Sequence, residues 1–230
     1  MSNGAGAGNG PLAFANPRGP SDDVWEVLYT TRAIRRFKPD PIPDAIVRRL
    51  ADVAIRAPSG SNQQTWRFLF VRDAAVKRQL AAFAEEALAP VLAPAYVTTV
   101  AGPNASAEKV AAVERIQRSV AHLARHFAEA PLVFVPCLIT NGRATATSGS
   151  SIYPAMWNVQ LAARALGIGS VLTTVHRVRT AEFKALLGIP DEAEPFAVVP
   201  MGYPQGRFGT GPREPAERVS YLDHWGSPLP

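Results

Sequence analysis

The stretch Leu132–Ile139, LVFVPCLI, is the most restrictive feature of this sequence: eight consecutive apolar residues, rich in branched side chains and too short for a helix of ordinary length. Such a run reads as a strand buried on both faces, with Pro136 as its one blemish, because proline cannot donate to a ladder. A strand of this kind needs partners and covering layers, and the chain supplies them. Trp66–Val71 and Phe196–Met201 read as further core strands, and amphipathic segments surround them. With 230 residues and 47% hydrophobic residues there is material for one sizeable core.

Helices are expected from Asp22 to near Thr30 with Ser21 as cap, from Pro43 to Ala57 with Ile46, Leu50, Val53 and Ala54 inward, and over 73–89, 107–128, 154–166 and 180–187. In the long 107–128 segment Val110, Val113, Ile116, Val120, Leu123 and Phe127 form one stripe. Pro90, Pro94, YVTTV and Gly102-Pro103 read as irregular, so 90–130 is an excursion expected to cap a cleft or wrap a partner. Helix 154–166 is apolar on most faces, so Asn158 or Gln160 requires a polar partner if enclosed. The strands do not alternate regularly with helices, which favours an α+β fold over a doubly wound one. Residues 1–20 read as a flexible N-terminal arm, 21–230 as a single domain, and 202–218 as the start of an extended, basic C-terminal tail.

The exclusions are equally informative. Cys137 is the single cysteine, which rules out an intrachain disulfide and a cysteine-rich zinc site, and fits a reducing compartment. The N-terminus lacks the basic-then-apolar pattern of a secretion signal and no run of eighteen apolar residues occurs, so the expectation is a cytoplasmic protein without membrane spans. There is no GxGxxG after a strand, no Walker motif, no HExxH and no GxSxG. Burial within its strand should leave Cys137 inert. His122 and His126 share a helix face but have no third ligand nearby, so they read as surface or cap residues.

The net charge of +5 is locally concentrated: Arg32, Arg35, Arg36 and Lys38 precede Asp40. No aromatic-basic interleaving or nucleic-acid module accompanies them, so a small anionic ligand is the economical reading, beside the plain alternative of a solvated face. Ser59, Ser61, Asn62, Gln63 and Gln64 offer hydroxyls and amides able to read a heterocycle, or form an ordinary loop.

Taken together these segments resemble the FMN-dependent nitroreductases. That family's early Arg-Ser-x-Arg segment is similar to Arg32, Ala33, Ile34 and Arg35, with Ala33 in place of the serine. Its Pro-Ser-x-x-Asn-x-Gln-Pro-Trp segment is similar to Pro58, Ser59, Gly60, Ser61, Asn62, Gln63, Gln64, Thr65 and Trp66, with Thr65 in place of the proline. Its Leu-Gly-Ile-Gly and following flavin-facing segment resemble Leu166–Thr174, and its Gly-Tyr-Pro resembles Gly202, Tyr203 and Pro204.

The resemblance implies a nitroreductase-like α+β fold with a central mixed or antiparallel sheet, a homodimer, and FMN sites at the subunit interface. It implies that Arg32, Ala33, Arg35 and Arg213 (with Arg207 as the weaker match) hold the phosphate. Pro58, Ser59, Gly60, Asn62 and Gln64 would meet the ribityl chain and ring, and Leu172, Thr173 and Thr174 would line the ring. The implied chemistry is ping-pong: NADH or NADPH delivers a hydride to the flavin, leaves, and a nitroaromatic, quinone or other electron-poor molecule takes its place. Flavin reduction, dehalogenation and oxygen-dependent oxidation are the alternatives within the family. A flavin- or nucleic-acid-binding protein without turnover is the alternative outside it. No catalytic acid or metal is implied; the cofactor carries the chemistry.

Overall fold

The computed structural model describes residues 19–229. The sheet is organised around the apolar run: β2 (Leu132–Ile139) pairs antiparallel with β1 (Trp66–Val71) on one side and with β4 (Ala193–Pro195) and β5 (Val199–Gly202) on the other. Next to β5 lies β3 (Gly169–Ser170), also antiparallel, and the Ala33 bridge to Ser170 is parallel, so the sheet is mixed at that edge. The register explains how Pro136 is tolerated. The Ile139 amide donates to Thr65 on the β1 side, so by alternation the missing N–H of Pro136 faces the other side. There it falls between the rungs made by β5, which end at Phe134, and those of β4, which begin at Cys137. Its carbonyl still accepts from Phe196 N at 2.9 Å. Of the strand expected over Phe196–Met201 only Val199–Met201 is strand, within β5; Phe196–Val198 form the handover, and β4 lies before them at Ala193–Pro195.

Helices cover the sheet. On one face α2 (Asp44–Ala54) and α6 (Gly149–Ala165) bury Leu50, Ala54, Met156, Val159 and Ala163 against Phe134, Val199 and Met201. On the other, α3 (Ala74–Leu92), α5 (Ala107–His126) and α7 (Thr180–Leu187) bury Leu80, Phe83, Leu123 and Phe183 against Val133, Val135 and Cys137. Gln160, enclosed as expected, donates to Ser170 Oγ at 3.1 Å, and Asn158 reaches the Val53 carbonyl at 3.5 Å. Burial pushes the Cys137 thiol up to about 12, so it stays protonated.

Several helix boundaries differ from the sequence expectation, and proline or capping accounts for them. α1 (Val24–Thr30) is capped by Asp23, whose carboxylate accepts from the Trp25 and Glu26 amides, while Ser21 Oγ donates instead to Glu26. α2 stops at Ala54 and a turn carries the chain to Pro58. The segment expected to be irregular is helical: α3 continues through Pro90 to Leu92, and α4 (Ala95–Ala101) starts directly after Pro94, where a missing N–H costs nothing. Likewise α6 begins at Gly149, five residues before Pro154, after a capping box formed by Thr145 and Ser148. In the α5 stripe Val113, Val120 and Leu123 are buried but Ile116 is exposed.

Of the expected N-terminal arm, residues 1–18 lie outside the described residues, while Gly19 and Pro20 pack on the end of α6. Among the described residues no single helix is long and apolar enough to cross a membrane. The one helix pair that passes by length and composition, α3 with α4, is bent by 66° and buries Leu80, Phe83 and Ala84 in the core.

Candidate active site

The basic segment does not form a helix because its prolines and the absence of an apolar stripe leave it nothing to gain from one. It lies instead along the sheet edge, held by main-chain bonds: Ile34 N to Ser170 O at 2.9 Å, Lys38 N to Tyr203 O at 2.7 Å and Gln205 N to Arg36 O at 3.1 Å. Two glycines make room for it. A Cβ on Gly169 would come within 2.7 Å of the Ile34 side chain, and one on Gly202 within 2.9 Å of Phe37. The glycines of the Leu-Gly-Ile-Gly and Gly-Tyr-Pro segments thus let the basic segment approach the sheet.

Laid down this way, Arg32, Ala33 and Arg35 line a cavity of about 280 Å³ together with Pro204, Gly206 and Arg207. Arg32 Nη2 donates to the Arg207 carbonyl at 3.2 Å, and neither Arg32 nor Arg35 has a carboxylate partner among the described residues. Burial holds the Arg35 guanidinium below its ordinary value, Tyr96 opposes that shift, and Arg32 adds to it by repulsion. Two unpaired guanidinium groups that repel each other, one of them partly desolvated, are the donor set a phosphate would relieve.

Arg35 also stands in the wall of a second cavity of about 230 Å³ with Leu172, Thr173, Thr174 and, from the helices, Leu88 and Val120. Leu172 and Thr174 present exposed side chains there, an apolar and a polar surface side by side. Thr173 differs: its hydroxyl donates to the Val198 carbonyl at 2.7 Å and its amide bonds the same residue, so it shapes the wall from behind. Behind this segment, burial first and Arg177 second push the His176 imidazole down to about 4, against a bond to the Pro195 carbonyl, and its Nδ1 is buried with no partner among the described residues.

The polar loop has a different character. Ser61, Asn62 and Gln64 all have positive φ, at 50°, 53° and 52°, a conformation that costs non-glycine residues on the order of 1 kcal/mol each. Side chains hold it there: Ser59 Oγ accepts from Gln64 N at 3.0 Å, Gln64 Nε2 donates to Asn62 Oδ1 at 3.0 Å, and the Gly60 amide donates to Ser151 Oγ of α6 at 3.1 Å. Ser59 and Gly60 line a third cavity of about 320 Å³ with Arg143 and Ser151. Pro58, Asn62 and Gln64 are exposed. Among the described residues, the cavities that Arg32 and Arg35 line contain no residue of this loop, and those that Ser59, Gly60 and Gln64 line contain none of the basic segment.

Arg213 stands apart from both: it is exposed and its Nη1 donates to the neighbouring Pro212 carbonyl at 2.9 Å. Arg207, the weaker match in the sequence, is the tail arginine that shares a cavity with Arg32. Ser151 and Arg143, which line the third cavity, carry no distinguishing pattern in the sequence. His122 and His126 stack at 4.3 Å, pair with Arg36 and Glu129, and belong to no metal-binding group among the described residues.

Residues 28–203 match the profile of the nitroreductase family. The chain belongs to that family. As a member it is an FMN- and NAD(P)H-dependent oxidoreductase, and the unpaired arginines, the strained polar loop and the Leu172–Thr174 wall are chemically suited to that cofactor. An NADH dehydrogenase of Thermus thermophilus is 33% identical over 87% of this chain and 96% of its own length. A 5,6-dimethylbenzimidazole synthase of Rhodobacter capsulatus is 30% identical over 80% of this chain and 84% of its own. The crystal structure of an iodotyrosine deiodinase bound to FMN and 3-iodo-L-tyrosine superposes with a TM-score of 0.64 at 24% identity, covering 89% of this chain and all of that one.

Proposed function

We propose that this chain binds FMN between two copies of itself and passes electrons from NADH or NADPH, in ping-pong fashion, to a small electron-poor oxidant. In this reading the physiological reaction belongs to the wider flavin repertoire of flavin reduction, dehalogenation or oxygen-dependent oxidation, and nitroarenes and quinones serve as convenient electron acceptors. The observation that carries it is that Arg35 lines both cavities, setting an anion grip beside an apolar-and-polar wall of the kind a flavin ring needs. When bound, the flavin supplies the redox chemistry. The chain's part is to hold the phosphate with Arg32, Arg35 and a tail arginine, Arg207 or Arg213. It also excludes water with α3 and α5 and offers the amides of Asn62 and Gln64. Similarity to a dehydrogenase, a benzimidazole synthase and a deiodinase supports the wider repertoire over nitro reduction alone.

The homodimer has its own support. The polar loop is bonded to α6, whose Tyr153 and Trp157 are 43% and 42% exposed, beside α1, whose Val24 and Trp25 are 61% and 59% exposed. A second copy on this apolar face would bury it and bring its basic segment to the loop. In the same reading the 90–130 excursion, whose α5 already walls the cleft and whose Tyr96 lies near Arg35, selects the oxidant. A buried, inert lone cysteine fits a cytoplasmic setting.

One preparation tests these points. The protein should be yellow, release FMN on acid treatment, and scatter light as a dimer that loses flavin on dilution to monomer. Stopped-flow reduction by NADH and NADPH, then reoxidation by quinones, nitroarenes, halogenated phenols, free flavins and oxygen, should show an oxidant preferred over nitroarenes. Tyr96→Ala should alter that preference while flavin is retained. A colourless protein that does not take up added FMN would defeat the assignment; clear preference for nitroarenes would restore nitro reduction as the reaction.

A further inference from the structure

The most deeply buried charge among the described residues has no part in the site as described so far. Arg164 of α6 is 1% exposed and all three of its guanidinium nitrogens are engaged. Nε donates to Thr30 Oγ1 at 2.8 Å, Nη1 to the Gly19 carbonyl at 2.9 Å and Nη2 to Glu26 Oε1 at 2.8 Å. Its flat face lies 4.0 Å from the centroid of the Phe208 ring, itself 1% exposed. Burial lowers the Arg164 pKa and Glu26 opposes the shift, as expected of a desolvated ion with one counter-charge. An apolar side chain of similar volume would hold α1 on α6 without desolvating a charge, so packing alone does not explain an arginine here.

Its partners share a destination. Thr30 ends α1 and stands two residues before Arg32; Phe208 directly follows Arg207; and Arg32 and Arg207 are bonded to each other at the mouth of the basic cavity. The edge of the Arg164 fork therefore fixes the segment that delivers Arg32, and its face fixes the segment that delivers Arg207. We infer that Arg164 is a positioning residue for the anion site, setting the spacing of Arg32 and Arg207 and with it the preference for a phosphorylated flavin over its unphosphorylated form. Lysine cannot replace it, because a tetrahedral ammonium has neither three coplanar donors nor a face to lay on a ring. The inference rests on the reading that the basic cavity holds the FMN phosphate, and its test separates the two.

The full chain freed of flavin is titrated with FMN and with riboflavin by quenching of flavin fluorescence, for the parent, Arg32→Ala, Arg207→Ala, Arg164→Lys, Phe208→Leu and Phe208→Tyr. Melting temperatures are measured alongside. Loss of a charge-assisted contact corresponds to about tenfold or more, so Arg32→Ala and Arg207→Ala should each reduce the FMN-over-riboflavin preference by about that factor. Arg164→Lys should reduce it by roughly fivefold with riboflavin affinity nearly unchanged, a partial version of the same loss. Phe208→Leu, which keeps every hydrogen bond of the fork, should move the ratio in the same direction, and Phe208→Tyr should restore it. Equal losses for both flavins in Arg164→Lys and Phe208→Leu would reduce Arg164 to a structural clamp and overturn the inference. If Arg164→Lys does not fold, the two Phe208 variants decide the question alone. An unchanged ratio in both Arg32→Ala and Arg207→Ala would instead defeat the assignment of the cavity to phosphate.

Discussion

The basic segment and the polar loop are the two regions expected to hold the same ligand, and they are built in opposite ways. Residues 33–38 are fixed by main-chain bonds to β3 and to the residues after β5, with ordinary backbone angles, so holding the segment in place does not take up the Arg35 side chain. Residues 59–64 have three non-glycine residues at positive φ and are fixed by their own side chains and by Ser151. Charge can be presented from a relaxed backbone because a long flexible side chain finds its own geometry. Short amides and hydroxyls cannot reach, so here the backbone itself is bent to aim them, at a cost in stability.

The largest effect that would sharpen this contrast is acid. The His176 imidazole, behind the Leu172–Thr174 wall, is held down to about 4, whereas an unfolded chain would protonate it near the ordinary value of about 6.5. Its contribution is fully present above about pH 6.5 and is lost as pH falls toward about 4, amounting to about 3 kcal/mol. Residues 59–64 contain no titratable group. Amide exchange should therefore accelerate around 171–176 between these pH values before it does at 59–64, and His176→Gln should flatten the acid side of the stability profile. Parallel loosening of both regions, or an unchanged profile in the variant, would break the contrast.

Next in size is Arg35→Ala. Losing a charge-assisted contact of about 1.5–3 kcal/mol should weaken FMN at least tenfold while barely affecting riboflavin or the melting temperature. Equal losses for both flavins would place Arg35 away from the phosphate. The smallest effect tests the strain: Ser61→Gly should raise stability by about 0.5 kcal/mol, because relief of a left-handed residue outweighs the extra chain entropy of glycine. Glycine at Ile34, in the relaxed segment, should only destabilise. A lower melting temperature in Ser61→Gly would show that the loop is not strained.

The strands Trp66–Val71 and Leu132–Ile139 and the helix 180–187 are legible to the residue, because apolar runs mark the strands and the left-handed Gly188 ends the helix. The helices of the excursion are not legible because Pro90 and Pro94 read as breaks, and Pro154 reads as the start of a helix, whereas α3 and α6 run through Pro90 and Pro154 and α4 starts after Pro94. Tertiary burial of Leu80, Phe83, Ile152 and Ala155 outweighs the bond each proline removes. In the candidate site, both segments are legible as polar or basic runs between apolar ones. The partnership of Arg32 with Arg207, 175 positions apart, was not.

By itself the sequence determined the class of fold, the central strand, the two polar segments of the candidate site and the family, since each depends on composition or order over a few neighbouring residues. Only the tertiary structure decided which tail arginine stands beside Arg32, that the Thr173 hydroxyl turns inward, and that Arg164 ties α1 to the tail. The reason is distance along the chain. A buried guanidinium's partners are chosen by the surfaces that packing brings together, and nothing local to Arg164 distinguishes it from the arginines that face solvent.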